Sequence, residues 1–280
     1  MRPADVDFTQ PEWEPALTGP DSVSWQVFKN PVALFAGGVA AVILELAEPR
    51  VRSGIWNHTT FRTDPLARME RTGMAAMVTV YGARSVAERM IAAVCTMHDR
   101  VRGITPNGVP YHAGDPELLD WVQVTASYGF LEAYAAFVRP LSDEERDRFY
   151  AEGVGAGRLY GAVGSPASSA ELRARFEAMR PKIERSEIVF EFLDILHRTR
   201  ILPSPFGGLQ SMFVRAGVDV VPSWVREILG LGARYGLSSW ERRLVSVTGA
   251  LADRIPVPSS PPVLACKRLG LPTRFLYRRV

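Results

Sequence analysis

Residues 32–44 form thirteen consecutive apolar or glycine positions, interrupted only by Gly37-Gly38 and closed by Glu45. A membrane span needs about twenty such residues. The run is therefore too short to cross a bilayer and reads as a buried helix, and a helix apolar on all sides belongs inside a core. The sequence around it keeps the same periodicity. The helix predicted over residues 32–46 is closed by Glu48-Pro49. Asp64-Pro65 combines a capping carboxylate with proline in the first turn and starts a helix predicted over 66–81, stopped by Gly82. Val86, Met90, Val94, Met97 and Val101 recur at steps of three and four, which predicts a helix over 85–102 ended by Gly103. Pro106-Asn107-Gly108 marks a turn. Asp115-Pro116-Glu117 caps a helix over 118–139, and Ser142 with Glu145 has the capping-box arrangement.

Further helices are predicted over 169–179, 184–197, 223–230 and 239–253, with a break at 203–208. Strand-like alternation is scarce, and neither an internal repeat nor a dividing linker is present. The fold class is all-α. A single helical domain over 31–255 is expected after a polar N-terminal arm, residues 1–30, with a short helical piece near 22–28. A Pro-rich C-terminal tail, residues 256–280, follows it.

Composition narrows the function. Basic residues number 33 against 30 acidic, for a formal charge of +3, and the arginines are scattered among acids, as in Glu144-Glu145-Arg146-Asp147-Arg148. That pattern is a solvated surface and not a nucleic-acid footprint. Cys95 and Cys266 are the only cysteines, too few for a disulfide framework or a Cys-rich zinc module. The first fifteen residues carry Asp5, Asp7, Glu12 and Glu14 without an apolar core, so no secretory signal is read there, and a cytoplasmic protein with reduced thiols and no membrane span is the expectation.

The four histidines are the natural candidates for chemistry. His98 falls on the apolar side of its helix, between Val94 and Val101. It is either a core histidine bonded to a carbonyl or an axial ligand presented to a haem. His58, in Trp56-Asn57-His58-Thr59-Thr60, either lines a site or caps a helix. His112 and His197 read as structural. A helical di-iron site needs Glu-x-x-His pairs, and the chain has none. Gly153-Val154-Gly155-Ala156-Gly157 follows no strand and precedes no Lys-Ser/Thr, so it is a weak nucleotide motif. No Gly-x-Ser-x-Gly elbow is present.

An ordered series of motifs says more than any single residue. Arg68-Met69-Glu70-Arg71-Thr72 is followed by His98-Asp99-Arg100-Val101-Arg102-Gly103, and then by Tyr111-His112-Ala113-Gly114-Asp115-Pro116 with Trp121-Val122 behind. This series resembles the latex-clearing protein and mycophenolic-acid oxygenase (MpaB-type) superfamily of haem b proteins. The similarity extends over about residues 31–255. It takes in Ala36-Gly37-Gly38 and Ala47-Glu48-Pro49 upstream, and Leu141 to Glu145 and Pro222 to Arg226 downstream.

The resemblance implies a globin-like helical core around haem b, with His98 as the iron ligand. Arg68 and Thr72, four apart on one helical face, would bond the haem propionates or the oxygen-binding side, and His58 would lie beside the cofactor. Arg71 matches a position where latex-clearing enzymes can carry an iron-ligating Lys. Arginine does not readily deprotonate, so the resemblance leaves Arg71 to bond dioxygen or a propionate and the sixth iron position open or water-filled. Glu48 stands where the family often has His, and is either a catalytic base or a helix-end surface acid. Gln123 is a second departure of this kind. The implied activity is oxidation, with dioxygen, of a small hydrophobic metabolite, including cleavage of a C=C bond. The alternative is a haem-binding sensor or carrier without turnover.

Overall fold

Proline positions organise the chain. In the computed structural model, which describes residues 6–201 and 206–277, five helices begin with a polar cap followed by proline: α2 (Pro31–Ala47), α3 (Pro49–His58), α4 (Pro65–Tyr81), α6 (Pro116–Phe137) and α13 (Pro261–Arg268). Proline lacks the N–H that the first turn leaves unpaired in any case, so it starts a helix at little cost. The caps complete the signal. Asn30 accepts from the Val32 and Ala33 amides at 3.1 Å, Glu48 from Val51, Asp64 from Ala67 and Asp115 from Glu117.

The remaining helices are α1 (Val23–Phe28), α5 (Arg84–His98), α7 (Asp143–Leu159), α8 (Ser169–Met179), α9 (Glu187–Arg198), α10 (Gln210–Val220), α11 (Ser223–Leu229) and α12 (Ser239–Ala252). One antiparallel ribbon of β1 (Arg102–Ile104) and β2 (Pro110–His112) interrupts them, with Gly103 paired to Tyr111. The fold is all-α apart from this ribbon. The expected break at 203–208 lies partly outside the described residues.

Helix α2 is the buried axis, packed chiefly on α6 and α10. The Gly37-Gly38 pair does not interrupt it. A Cβ on Gly37 would sit 2.7 Å from Phe130 Cα and 2.8 Å from the Gly129 carbonyl, so glycine is what lets α2 and α6 approach at backbone distance. Gly217 does the same for α10, where a Cβ would fall 2.8 Å from the Ala36 carbonyl.

Both flanks enter the same core. Phe8, Ala16, Trp25 and Phe28 are buried with Ala265, Cys266 and Leu276. Arg268 is buried and donates to the Glu14 carbonyl at 2.9 Å and the Phe8 carbonyl at 2.8 Å. Lys29 reaches the Leu276 carbonyl at 2.6 Å and Asp253 at 3.2 Å. No single helix among the described residues is long and apolar enough to cross a membrane.

Candidate active site

Helices α4 and α5 form a hairpin that the core covers unevenly. At its closed end Val78, Val80, Tyr81, Ala87 and Ile91 are buried. At its open end Arg71, Thr72 and Gly73 of α4 and Ala92, Ala93, Thr96 and Met97 of α5 are exposed. Met69, Met74, Met77, Val94 and Val122 are half-buried against the core. The open end carries His98, the last residue of α5, and Arg68 in the first turns of α4.

His98 is the one histidine with a buried ring nitrogen, Nδ1, that no described residue bonds. Buried polar atoms in folded proteins are almost always paired, so this atom asks for a partner. Burial pushes its pKa below the ordinary imidazole value; the Arg68 charge lowers it further and Asp99 opposes the shift. The ring is accordingly neutral at pH 7, the form that ligates a metal. The segment just after it is braced. His112 Nε2 lies 3.2 Å from the Asp99 carbonyl, Arg102 donates to the same oxygen at 2.8 Å, and the Ala113 amide donates to Val101 at 2.9 Å.

The Arg68 guanidinium makes no hydrogen bond or ion pair with a described residue. Burial depresses its pKa, against the attraction of Glu45 in the last turn of α2. Glu45 is pushed up to about 7, chiefly by burial, with Arg68 and the Thr125 hydroxyl of α6 pulling the other way. Its place near the negative end of the α2 dipole works in the same direction as burial. Glu45 of α2 and Thr125 of α6 thus act on one another, Arg68 of α4 lies within electrostatic reach of Glu45, and His98 of α5 within reach of Arg68. Glu45 was missed in the sequence because it reads there as the residue that closes an apolar run.

The other predicted residues are placed differently. Glu48 is buried at the α2–α3 corner, where it accepts from the Val51 amide and from Arg50 Nε, both at 2.7 Å. Thr72 donates to the Arg68 carbonyl of its own helix at 3.0 Å, and Arg71 donates to Thr60 at 2.9 Å, in the turn before α4. His58 ends α3 exposed, with Nε2 3.1 Å from the Tyr111 hydroxyl. A separate cleft of about 280 Å³, lined by Leu193, Asp194, His197, Val214, Arg215, Val218, Arg234 and Tyr235, includes none of these residues.

No group of three or more His, Cys, Asp or Glu side chains converges among the described residues. The donor set is therefore one imidazole, one underpaired cation and one carboxyl that changes charge near neutrality. A model of the family described as ER-bound oxygenase mpaB/B′ and rubber oxygenase, catalytic domain, matches residues 25–254. The chain belongs to this family. The match spans α1 to α12 and contains Glu45, Arg68, His98 and Thr125, so these residues lie within an oxygenase catalytic domain. Neither the curated proteins nor the solved structures searched contain a match to the chain.

Proposed function

We propose that the protein is a haem b-dependent oxygenase that acts with dioxygen on a small hydrophobic metabolite, oxidising or cleaving a C=C bond. The observation that carries this reading is the unpartnered, buried nitrogen of a neutral His98 at the uncovered end of the α4–α5 hairpin. A haem requires one protein imidazole, an apolar slot and a cation for its propionates. His98, the half-buried Met69, Met74, Met77 and Val94, and Arg68 are residues of those kinds. The haem supplies the redox chemistry when bound.

The chain's own residues do the rest. His98 holds the iron, and the bracket of Arg102, His112 and Ala113 fixes the backbone that follows it. Arg68 neutralises a propionate or an anionic group of the substrate, and Thr72 and Arg71 continue that polar edge along the exposed side of α4. Glu45 is the proton acceptor in this reading. A carboxyl near 7 is ionised and protonated in comparable amounts at neutral pH, the condition under which a general base works best. Glu48, with both oxygens engaged, holds the α2–α3 corner, and His58 braces the ribbon through Tyr111.

Oxygen uptake with isoprenoid and other alkenyl substrates tests the activity. Consumption that yields carbonyl products, and a Glu45→Gln variant with lowered kcat and unchanged haem content, are expected. Reversible gas binding without product would replace the enzyme by a sensor or carrier.

A further inference from the structure

Helix α12 packs on α2, α6 and α10 through Val245 and Gly249. No described residue covers its opposite face. Trp240, Leu244, Val247 and Leu251 follow one another at steps of four, three and four, and Ile255 and Val257, past the end of the helix, are exposed as well. These six side chains are 38% to 62% exposed. The helical row from 240 to 251 at 1.5 Å per residue is about 17 Å long. Single exposed apolar residues are ordinary, whereas a contiguous row of this kind marks an interaction surface.

The charges along the helix decide what covers it. Its acids are all engaged inward: Glu241 with Arg215 and Ser238, and Asp253 with Lys29 and Asn30. Asp219 of α10, beside α12, is taken by Arg242 and by the Leu237 amide. Arg243 and Arg254 are exposed on α12 and just past its end, without an ion pair among the described residues. The charge left unpaired on α12 and just past its end, among the described residues, is therefore positive. A second copy would set arginine against arginine with no free acid on the helix to offset them.

We propose that the α12 face is a docking surface for an anionic lipid membrane, on which the helix lies in the interfacial plane. Trp240 and the aliphatic row enter the headgroup–acyl boundary, and Arg243 and Arg254 meet lipid phosphates and carboxylates, the arrangement of interfacial amphipathic helices. The helix is fourteen residues long, too short to span, so it rests on the surface. This inference does not depend on the cofactor or on the reaction.

Co-sedimentation of the full-length protein with phosphatidylcholine vesicles, with and without about a third phosphatidylserine, tests it, since each arginine near such a surface contributes roughly fivefold to affinity. Binding to the anionic vesicles is expected, weakened about thirtyfold in the Arg243→Gln/Arg254→Gln variant by the same reckoning. It should be abolished in Val247→Glu/Leu251→Glu, with circular dichroism unchanged in both. Absence of binding to anionic vesicles by the unaltered protein would overturn the proposal, as would undiminished binding by the glutamate variant. Sedimentation velocity showing a dimer that the glutamate variant disperses would assign the face to a second copy instead.

Discussion

Replacing Glu45 by glutamine should stabilise the protein, by an amount that depends on pH in a direction the structure fixes. The carboxyl is held at about 7 in the fold against an ordinary value of 4.5. Below 4.5 it is protonated in both the folded and unfolded chain and costs nothing. Between 4.5 and 7 the unfolded chain releases the proton while the folded one keeps it, so stability falls as pH rises. Above 7 the penalty is complete, and a displacement from 4.5 to about 7 corresponds to about 3 kcal/mol. Glutamine preserves shape and cannot ionise. Urea unfolding at pH 5 and pH 8 should therefore show Glu45→Gln ahead of the parent by little at the lower pH. At the higher pH the midpoint gap should be on the order of 1 M. An offset equal at the two pH values would mean that Glu45 is solvated and contradict its burial beside Arg68.

Other perturbations separate the structural devices. Gly37→Ala should cost about 1–2 kcal/mol, an overpacking penalty partly offset by helix propensity, whereas Gly155→Ala, where a Cβ meets nothing within 4 Å, should gain up to about 1 kcal/mol; thermal unfolding of the two variants checks the opposite signs. Arg268→Ala strips two backbone carbonyls of a charged donor and should lose about 3 kcal/mol in urea titration, while the exposed Arg158→Ala should stay within about 0.5 kcal/mol. Gly103→Ala would place a Cβ 2.6 Å from the Tyr111 hydroxyl, so amide exchange across residues 101–113 should accelerate as the ribbon loosens.

Helix starts were the most legible feature of the sequence, because a cap followed by proline is a local signal that tertiary contacts need not supply. Residues 65–81 and 116–137 follow Asp64-Pro65 and Asp115-Pro116 as read. The same signal in Glu48-Pro49 was read as an end, although it also opens α3. Helix α10 was missed beside the break expected at 203–208, and α13 was missed because Pro261-Pro262 reads as tail. Its burial depends on Phe8 and Glu14, some 250 residues away. The helix expected to reach 102 stops at His98 because Arg102 to Ile104 pairs with Pro110 to His112, and three-residue strands are too short to show alternation. His98 and Arg68 were legible through their motifs. Glu45 was not, since nothing local distinguishes an acid at the end of a buried helix from one at its cap. Only the tertiary fold brings it within electrostatic reach of Arg68 and Thr125.

The proposed function stands or falls with His98 as the iron ligand of a bound haem. The visible spectrum of protein produced with a haem precursor, recorded beside a His98→Ala variant prepared identically, tests it most directly. A Soret band in the parent that is lost or strongly altered in the variant, at unchanged helical content, is the predicted result. A parent that stays colourless after haem reconstitution, or a variant whose band is indistinguishable from the parent's, would contradict it.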